Sequence, residues 1–401
     1  MDSELINNIK DASHRLLPSM VEIRRDLHQH PELSFEEKRT SGQIKHFLLQ
    51  HGIPFSEGWA GHGIVAVIKG EHAGPMVMLR ADMDALPILE KNNVSYKSSH
   101  DGVMHACGHD VHTTSMLGVA AVIHEHKREL HGEVRLIFQP GEEKLPGGAS
   151  IMIKEGLFKP EKPQWMLGQH VFPQLQAGHV GFRSGVYMAS ADEVYIAIKG
   201  KGGHAATPHL CIDPIVISAR LITALQEVIS RNIDPLSPGV FTIGRIYSDG
   251  GATNVIPDTV FLEGTLRSMN ESWRHKAHEL IRNMVDHICE ASGAKSETRI
   301  LVGYPCLENN AEVTSMCQKA AIAFLGEEKV HELPQRMTSE DFAFYSQEVP
   351  ATFYRLGTGW PEEERNFPVH SNQFDINEDA LETGIGLMSY IVLSNLTGAI
   401  I

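Results

Sequence analysis

An α/β domain interrupted by a smaller α+β domain is the fold class that three features of this sequence predict. The chain has 401 residues, long for one hydrophobic core, which points to two domains. Strand-like and helix-like segments alternate up to residue 171, the pattern of a mainly parallel sheet covered on both faces. From residue 178 strands crowd together, and after residue 300 the alternation returns.

Taken in order, residues 11–30 carry apolar positions at helical spacing and close before Pro31. Residues 63–70 (GIVAVIKG) and 76–80 (MVMLR) are short apolar runs bounded by turn residues, hence strands. Residues 110–127 have a helical period, with Asp110 as the expected N-cap. A strand at 133–139, a short helix at 147–156 and a strand at 165–171 follow. Strands are next expected at 178–183, 192–200, 240–247 and 259–268, with helices at 213–231 and 271–292. Ile215, Ile222, Leu225 and Ile229 form the apolar stripe of the first of these helices. Four strands and two helices in this compass suit a ferredoxin-like α+β sandwich. A strand at 299–304, a helix at 311–325, a strand at 351–356 and a closing helix at 377–396 return the chain to its first domain. The expected division is 1–186 with 297–401, and an insertion of 187–296.

The composition narrows the function. Lys and Arg number 35 against 50 Asp and Glu, a net charge of −15, which is no footprint for nucleic acid or an anionic membrane. The N-terminal segment shows no signal-peptide pattern, and no apolar run reaches the ~18 residues of a membrane span. The five cysteines are scattered and include no CxxC pair, which argues for a reducing compartment, with the cytoplasm expected.

Polar clusters stand where strands end, the place where open α/β sheets bind ligands. Arg80-Ala81-Asp82-Met83-Asp84 follows one strand and Gln139-Pro140-Gly141-Glu142-Glu143 another; His170 lies at the end of a third. The loop Met104–Asp110 precedes a helix and offers Cys107 and His109. Mixed thiolate, imidazole and carboxylate donors suit a borderline transition metal, and a neighbouring free carboxylate suits a base for a water. Spacing does not choose among His105, His109 and His112 as donors. A competing reading makes Cys107 a nucleophile with His109 as base, but it leaves Glu142, Glu143, His170 and His370 without roles. Gly200–His204 (GKGGH) lacks the last glycine and the helix of a dinucleotide loop.

The ordered motifs resemble the M20 metallopeptidase superfamily. Within it they look most like the amidohydrolase branch of hippurate hydrolase, N-acyl-amino-acid deacylases and indole-3-acetyl-amino-acid hydrolases. They are LHQHPEL (27–33), LRADMDALP (79–87), MHACGHD (104–110), QPGEE (139–143), QHVFP (169–173), GKGGHAATPH (200–209), GGATNVIPD (250–258), GTLRS (264–268), SEDFAFY (339–345) and PVHSNQF (368–374). The resemblance implies two divalent metal ions, Mn(II) or Zn(II), with Ni or Co as alternatives. Their ligands would be Cys107, His109, Glu143, His170 and His370, with Glu142 as general base and acid. Asp84 would orient a ligand. His28 and His30 are read as structural. Gln169 replaces the usual Leu beside His170, and Asn372 replaces the usual Pro after His370. The same resemblance implies that the insertion is a lid that also mediates homodimerisation. In it His204 would polarise the scissile carbonyl, and Asn254 and Arg267 would hold the substrate carboxylate. The implied reaction is hydrolysis of an N-acyl amino acid, with a dipeptidase or carboxypeptidase, or a non-catalytic metal-binding protein, as alternatives.

Overall fold

The protein was analysed as a computed structural model, which describes residues 2–397. They form two compact units. One runs to Gly185 and takes in Glu308–Pro334 and the chain from Asp341; the other comprises Val186–Leu307 and Gln335–Glu340.

The first unit is built on an eight-stranded mixed sheet. Its strands run in the order Phe55–Trp59, Gly63–Lys69, His131–Gln139, His72–Asp82, Met166–Gln176, Ala351–Gly359, Val180–Phe182, Val330–Glu332. The four from His131–Gln139 to Ala351–Gly359 are mutually parallel. They are apolar without alternation, as at the fully buried run Val77, Met78 and Leu79, because both faces are covered. Helices Asp2–Gln29, His109–Glu125 and Ala380–Leu396 pack against one another over this core. The helix Lys38–Gln50 and the strand Phe55–Trp59 were not expected from sequence. Only Ile44, Phe47 and Leu48 give that helix a buried apolar edge, too short a pattern to stand out.

Asp110 is not the cap of the helix that follows it. Gly108 takes that place with φ 79°, and the helix begins at His109. Asp110 is buried and its carboxylate instead accepts from Arg24 Nε (2.9 Å) and meets His28 Nδ1 (2.8 Å). A guanidinium with no exposed surface requires such a partner, and this outweighs a cap.

The second unit follows the order βαββαβ. Its antiparallel sheet runs Gly239–Ser248, Thr259–Ser268, Asp192–Lys199, Lys295–Val302, the ferredoxin-like arrangement. Helices Pro214–Asn232 and Glu271–Ala291 share one core with Val194, Ile196, Ile198, Val260 and Leu262. Asp213 caps the first helix, accepting from Ile215 N at 2.9 Å, and Asn270 caps the second, accepting from Trp273 N at 2.8 Å. Two strands exchange places relative to the sequence reading. Val180–Phe182 belongs to the large sheet, where Val180 and Phe182 are buried. Lys295–Val302 supplies the fourth strand here, and its half-exposed alternation suits a sheet edge. No helix among the described residues is long and apolar enough to cross a membrane.

Candidate metal centre

Parallel register gathers the polar clusters of the first unit. Asp82 lies opposite Gln139, Arg80 opposite Gly168, and Arg355 opposite His170. The carboxyl ends of these strands therefore open on one rim, with Asp84 and Glu142–Glu143 just beyond it. Gly108 lets the Cys107–His109 loop approach: a Cβ there would lie 2.5 Å from Val171 Cγ2. His370 arrives from far along the chain. Its backbone N–H donates to Ala106 O at 2.7 Å, and its φ of 66° turns the ring toward the same loop.

The five residues expected as ligands come together. Two triads, Cys107–His109–His170 and Cys107–Glu143–His370, each place their donor atoms within 4.8 Å of one another, and they share the Cys107 sulfur. Cys107 Sγ lies 3.4 Å from His170 Nε2, and His370 Nε2 lies 3.3 Å from Glu143 Oε1. Glu142 groups with His109 and Glu143 by the same measure. The rings are held by their other nitrogens. His170 Nδ1 donates to Val171 O (2.8 Å), and His109 Nδ1 meets Asp84 Oδ1 (3.1 Å). Asp84 Oδ2 also accepts from Ser34 Oγ (2.6 Å) and from the backbone N–H of Glu143 (2.9 Å). One carboxylate thus aims His109 and anchors the Glu143 backbone, the way outer groups orient metal ligands.

The chemistry of the set fits a metal. His109 Nε2 and Glu143 Oε1 are buried and make no hydrogen bond, a costly state for polar atoms unless an ion takes them as donors. A buried thiol beside them favours a borderline transition metal over Mg or Ca. Of His105, His109 and His112, only His109 shares a donor triad with Cys107. His112 has both nitrogens engaged, Nδ1 with Asp82 Oδ1 at 2.5 Å and Nε2 accepting from Val171 N at 2.9 Å. A third triad, Asp82–His109–His112, is closed by those bonds and by Arg80 on Asp82. His105 stands outside these donor triads. Its burial lowers its pKa to about 4, so it stays neutral.

Burial, together with the charges of Glu143, Glu142 and Asp82, raises the Cys107 pKa well above that of an ordinary thiol. That is the reverse of what a nucleophilic cysteine needs. Burial lowers the His109 pKa, but Asp82 and Asp84 outweigh it and raise the value to about 10.

His28 is wholly buried among Arg24, Asp110 and Glu90, and His30 Nδ1 meets Asp26 O at 2.9 Å; both are structural. Gln169 Oε1 is occupied by Tyr354 Oη at 2.9 Å, and the backbone carbonyl of Asn372 accepts from Lys91 N at 2.8 Å. His204, Asn254 and Arg267 lie in the second unit. The first two meet on a small ribbon, where Val255 pairs with His204 and Ala205 N donates to Asn254 O at 3.0 Å. His204 is exposed, and its Nδ1 accepts from Ala206 N at 3.0 Å, which leaves the proton on Nε2. Arg267 stands on the four-stranded sheet, half-buried, donating to Ser339 Oγ at 2.8 Å. Sequence reasoning assigned no role to Arg80, Asp82, His112, Gln139, Asp341 or Tyr345, which form a buried polar network. All but His112, which was left among the possible donors, lie inside the quoted motifs, and that was the available signal.

Known proteins share this chain's pattern. Residues 78–394 match the profile of peptidase family M20/M25/M40. N-acetylcysteine deacetylase of Bacillus subtilis is 39% identical over 363 residues, 90% of this chain and 93% of that protein. Thermostable carboxypeptidase 1 of Saccharolobus solfataricus is 37% identical over 384 residues, 95% of this chain and 96% of that protein. Among solved structures, the B. subtilis YxeP protein, a dinuclear metal-binding peptidase of the M20 family, superposes with a TM-score of 0.82. It is 34% identical, and the match covers 96% of this chain and 99% of that one.

Proposed function

Starting from the fact that this chain belongs to peptidase family M20/M25/M40, we propose that it cleaves the amide bond of N-acyl amino acids, releasing a carboxylic acid and a free amino acid. The observation that carries this reading is the Glu142 carboxylate, buried beside a five-donor set without being needed to complete either triad. Cys107, His109 and His170 would hold one divalent ion, and Cys107, Glu143 and His370 a second, with Mn(II) or Zn(II) suited to the mixed donors. Such ions, when bound, supply Lewis acidity that polarises the amide carbonyl and lets a water ionise near neutral pH.

Glu142 takes the proton from the attacking water and returns it to the departing amine. Asp341 N–H holds Glu142 Oε1 at 3.3 Å, so one carboxylate oxygen is fixed. His204, whose Nδ1 accepts from Ala206 N, has Nε2 as a donor suited to an oxyanion. The Arg267 fork suits a substrate carboxylate bound through both oxygens, with Asn254 as a further donor. The second unit, which carries these three, is read as a lid and dimerisation domain.

The resemblance to a carboxypeptidase favours a second reading, in which the acyl group is itself a peptide. Glu142→Gln tests the shared mechanism, and a panel of N-acetyl, benzoyl and indoleacetyl amino acids with dipeptides tests the substrate. Glu142→Gln is expected to keep its metal by elemental analysis and to lose about 10²–10⁴-fold in kcat. Near-native kcat would remove Glu142 as the base, and turnover of dipeptides alone would favour the peptidase reading.

A further inference from the structure

Beneath the rim, a buried polar network crosses the parallel strands without containing a proposed ligand or base. Its centre is Arg80, whose side chain is wholly buried. A guanidinium is a planar fork of donors and can serve several acceptors at once. Here Nε donates to Gln139 Oε1 (2.9 Å), Nη1 to Asp82 Oδ2 (2.7 Å) and Nη2 to Asp341 Oδ1 (2.5 Å).

Two branches leave this fork. On one, Asp82 Oδ1 accepts the Nδ1 proton of His112, so His112 Nε2 carries a lone pair and accepts from Val171 N–H. Val171, anchored through its N–H, presents its own carbonyl to His170 Nδ1, and His170 Nε2 lies 3.4 Å from the Cys107 sulfur. On the other, the Asp341 carboxylate also accepts from Gln139 Nε2 (2.7 Å) and Ala149 N (3.0 Å). With its side chain fixed, Asp341 directs its own N–H to Glu142 Oε1. Tyr345 Oη braces Gln139 Oε1 at 3.0 Å.

We propose that Arg80 is a positioning residue that sets His170 through Asp82 and His112, and Glu142 through Asp341. The inference rests on the roles given above to His170 and Glu142. One cation thereby ties the aim of a metal donor to the aim of the base. A lysine keeps the charge, but its donors share one nitrogen, so it cannot meet Asp82, Gln139 and Asp341 at the positions served by the three separate nitrogens of Arg80.

The branches can be cut one at a time. His112→Asn keeps a donor for Asp82 but cannot reach Val171 N–H. Asp341→Asn places an amide among donors and disturbs only the Glu142 branch. Each variant, with Arg80→Lys, is loaded with Co(II). Its Co(II) affinity and visible absorption, thermal midpoint, kcat and KM are then measured. His112→Asn is expected to weaken Co(II) binding about 10–100-fold and to shift the absorption bands. Asp341→Asn is expected to leave both unchanged and to lower kcat about 10–100-fold, with KM within about threefold. Arg80→Lys should show both effects. Wild-type Co(II) binding in His112→Asn with wild-type kcat in Asp341→Asn overturns the proposal. So does an Arg80→Lys protein that loses only thermal stability. Should Arg80→Lys fail to fold, the other two variants still decide. A wild-type protein inert toward every N-acyl amino acid overturns the proposed function instead, while the Co(II) arm still reads the His170 branch.

Discussion

Asp84→Asn changes one oxygen to an amide group and nothing in volume, yet it should cost the site much of its metal affinity. The carboxylate of Asp84 is buried and takes three contacts: His109 Nδ1 at 3.1 Å, Ser34 Oγ at 2.6 Å and Glu143 N at 2.9 Å. Two oxygens can accept all three; an asparagine has only one. If its oxygen faces Ser34 and Glu143, its amide N–H faces His109 Nδ1. That ring must then carry its proton on Nε2, the atom required as a donor. If the amide is flipped, its N–H opposes the Glu143 N–H, and a buried donor is left unsatisfied at about 1–3 kcal/mol. Ser34 can rotate its hydroxyl and contributes little to the difference. Either outcome corresponds to about 10–100-fold in affinity. Competition with a chromophoric chelator for Zn(II) or Mn(II), wild type against variant, reads this directly. Affinity within about threefold of wild type would refute the orienting role of Asp84.

Two further outcomes follow from the geometry. Gly108→Ala places a Cβ 2.5 Å from Val171 Cγ2 at a φ of 79°, so strain and overlap should lower the thermal midpoint and ease metal loss to a chelator. Gly108→Ala with Val171→Ala should recover part of the loss, and absence of any recovery would point to backbone strain alone. In the second unit, burial raises the Asp192 pKa, but hydrogen bonds from Arg274 and His278 outweigh it and lower the value to about 2. A depressed carboxylate contributes stability above its unfolded pKa, about 3.9, and loses it as pH falls toward 2. Urea midpoints measured from pH 5 downward should fall through that window in the wild type and fall less steeply in Asp192→Asn.

Much of the architecture is written in local pattern. Runs such as Met76–Leu79 are apolar at every position because both faces of the sheet are covered, and that alone separates the parallel domain from the alternating strands of the insertion. Placing polar clusters at strand ends was enough to anticipate one rim, since parallel strands share the direction in which they end. The strands at 180–182 and 295–302 were exchanged between sheets because a short apolar segment carries no record of its partner. Asp110 was misread as a cap because its true partner, Arg24, is 86 residues away.

Residue types and order in this sequence determined the donor chemistry: a thiol, imidazoles and two adjacent carboxylates in one chain with a family's motif sequence. Tertiary structure decided which lone pairs remain available. His109 and His112 lie one helical turn apart and are chemically alike. Val171 N–H and Asp82 occupy both nitrogens of His112, whereas Asp84 holds only Nδ1 of His109. His370 joins them through a backbone bond to Ala106 that no spacing encodes. A free lone pair is a property of the neighbours that fail to claim it, and those neighbours come from other strands.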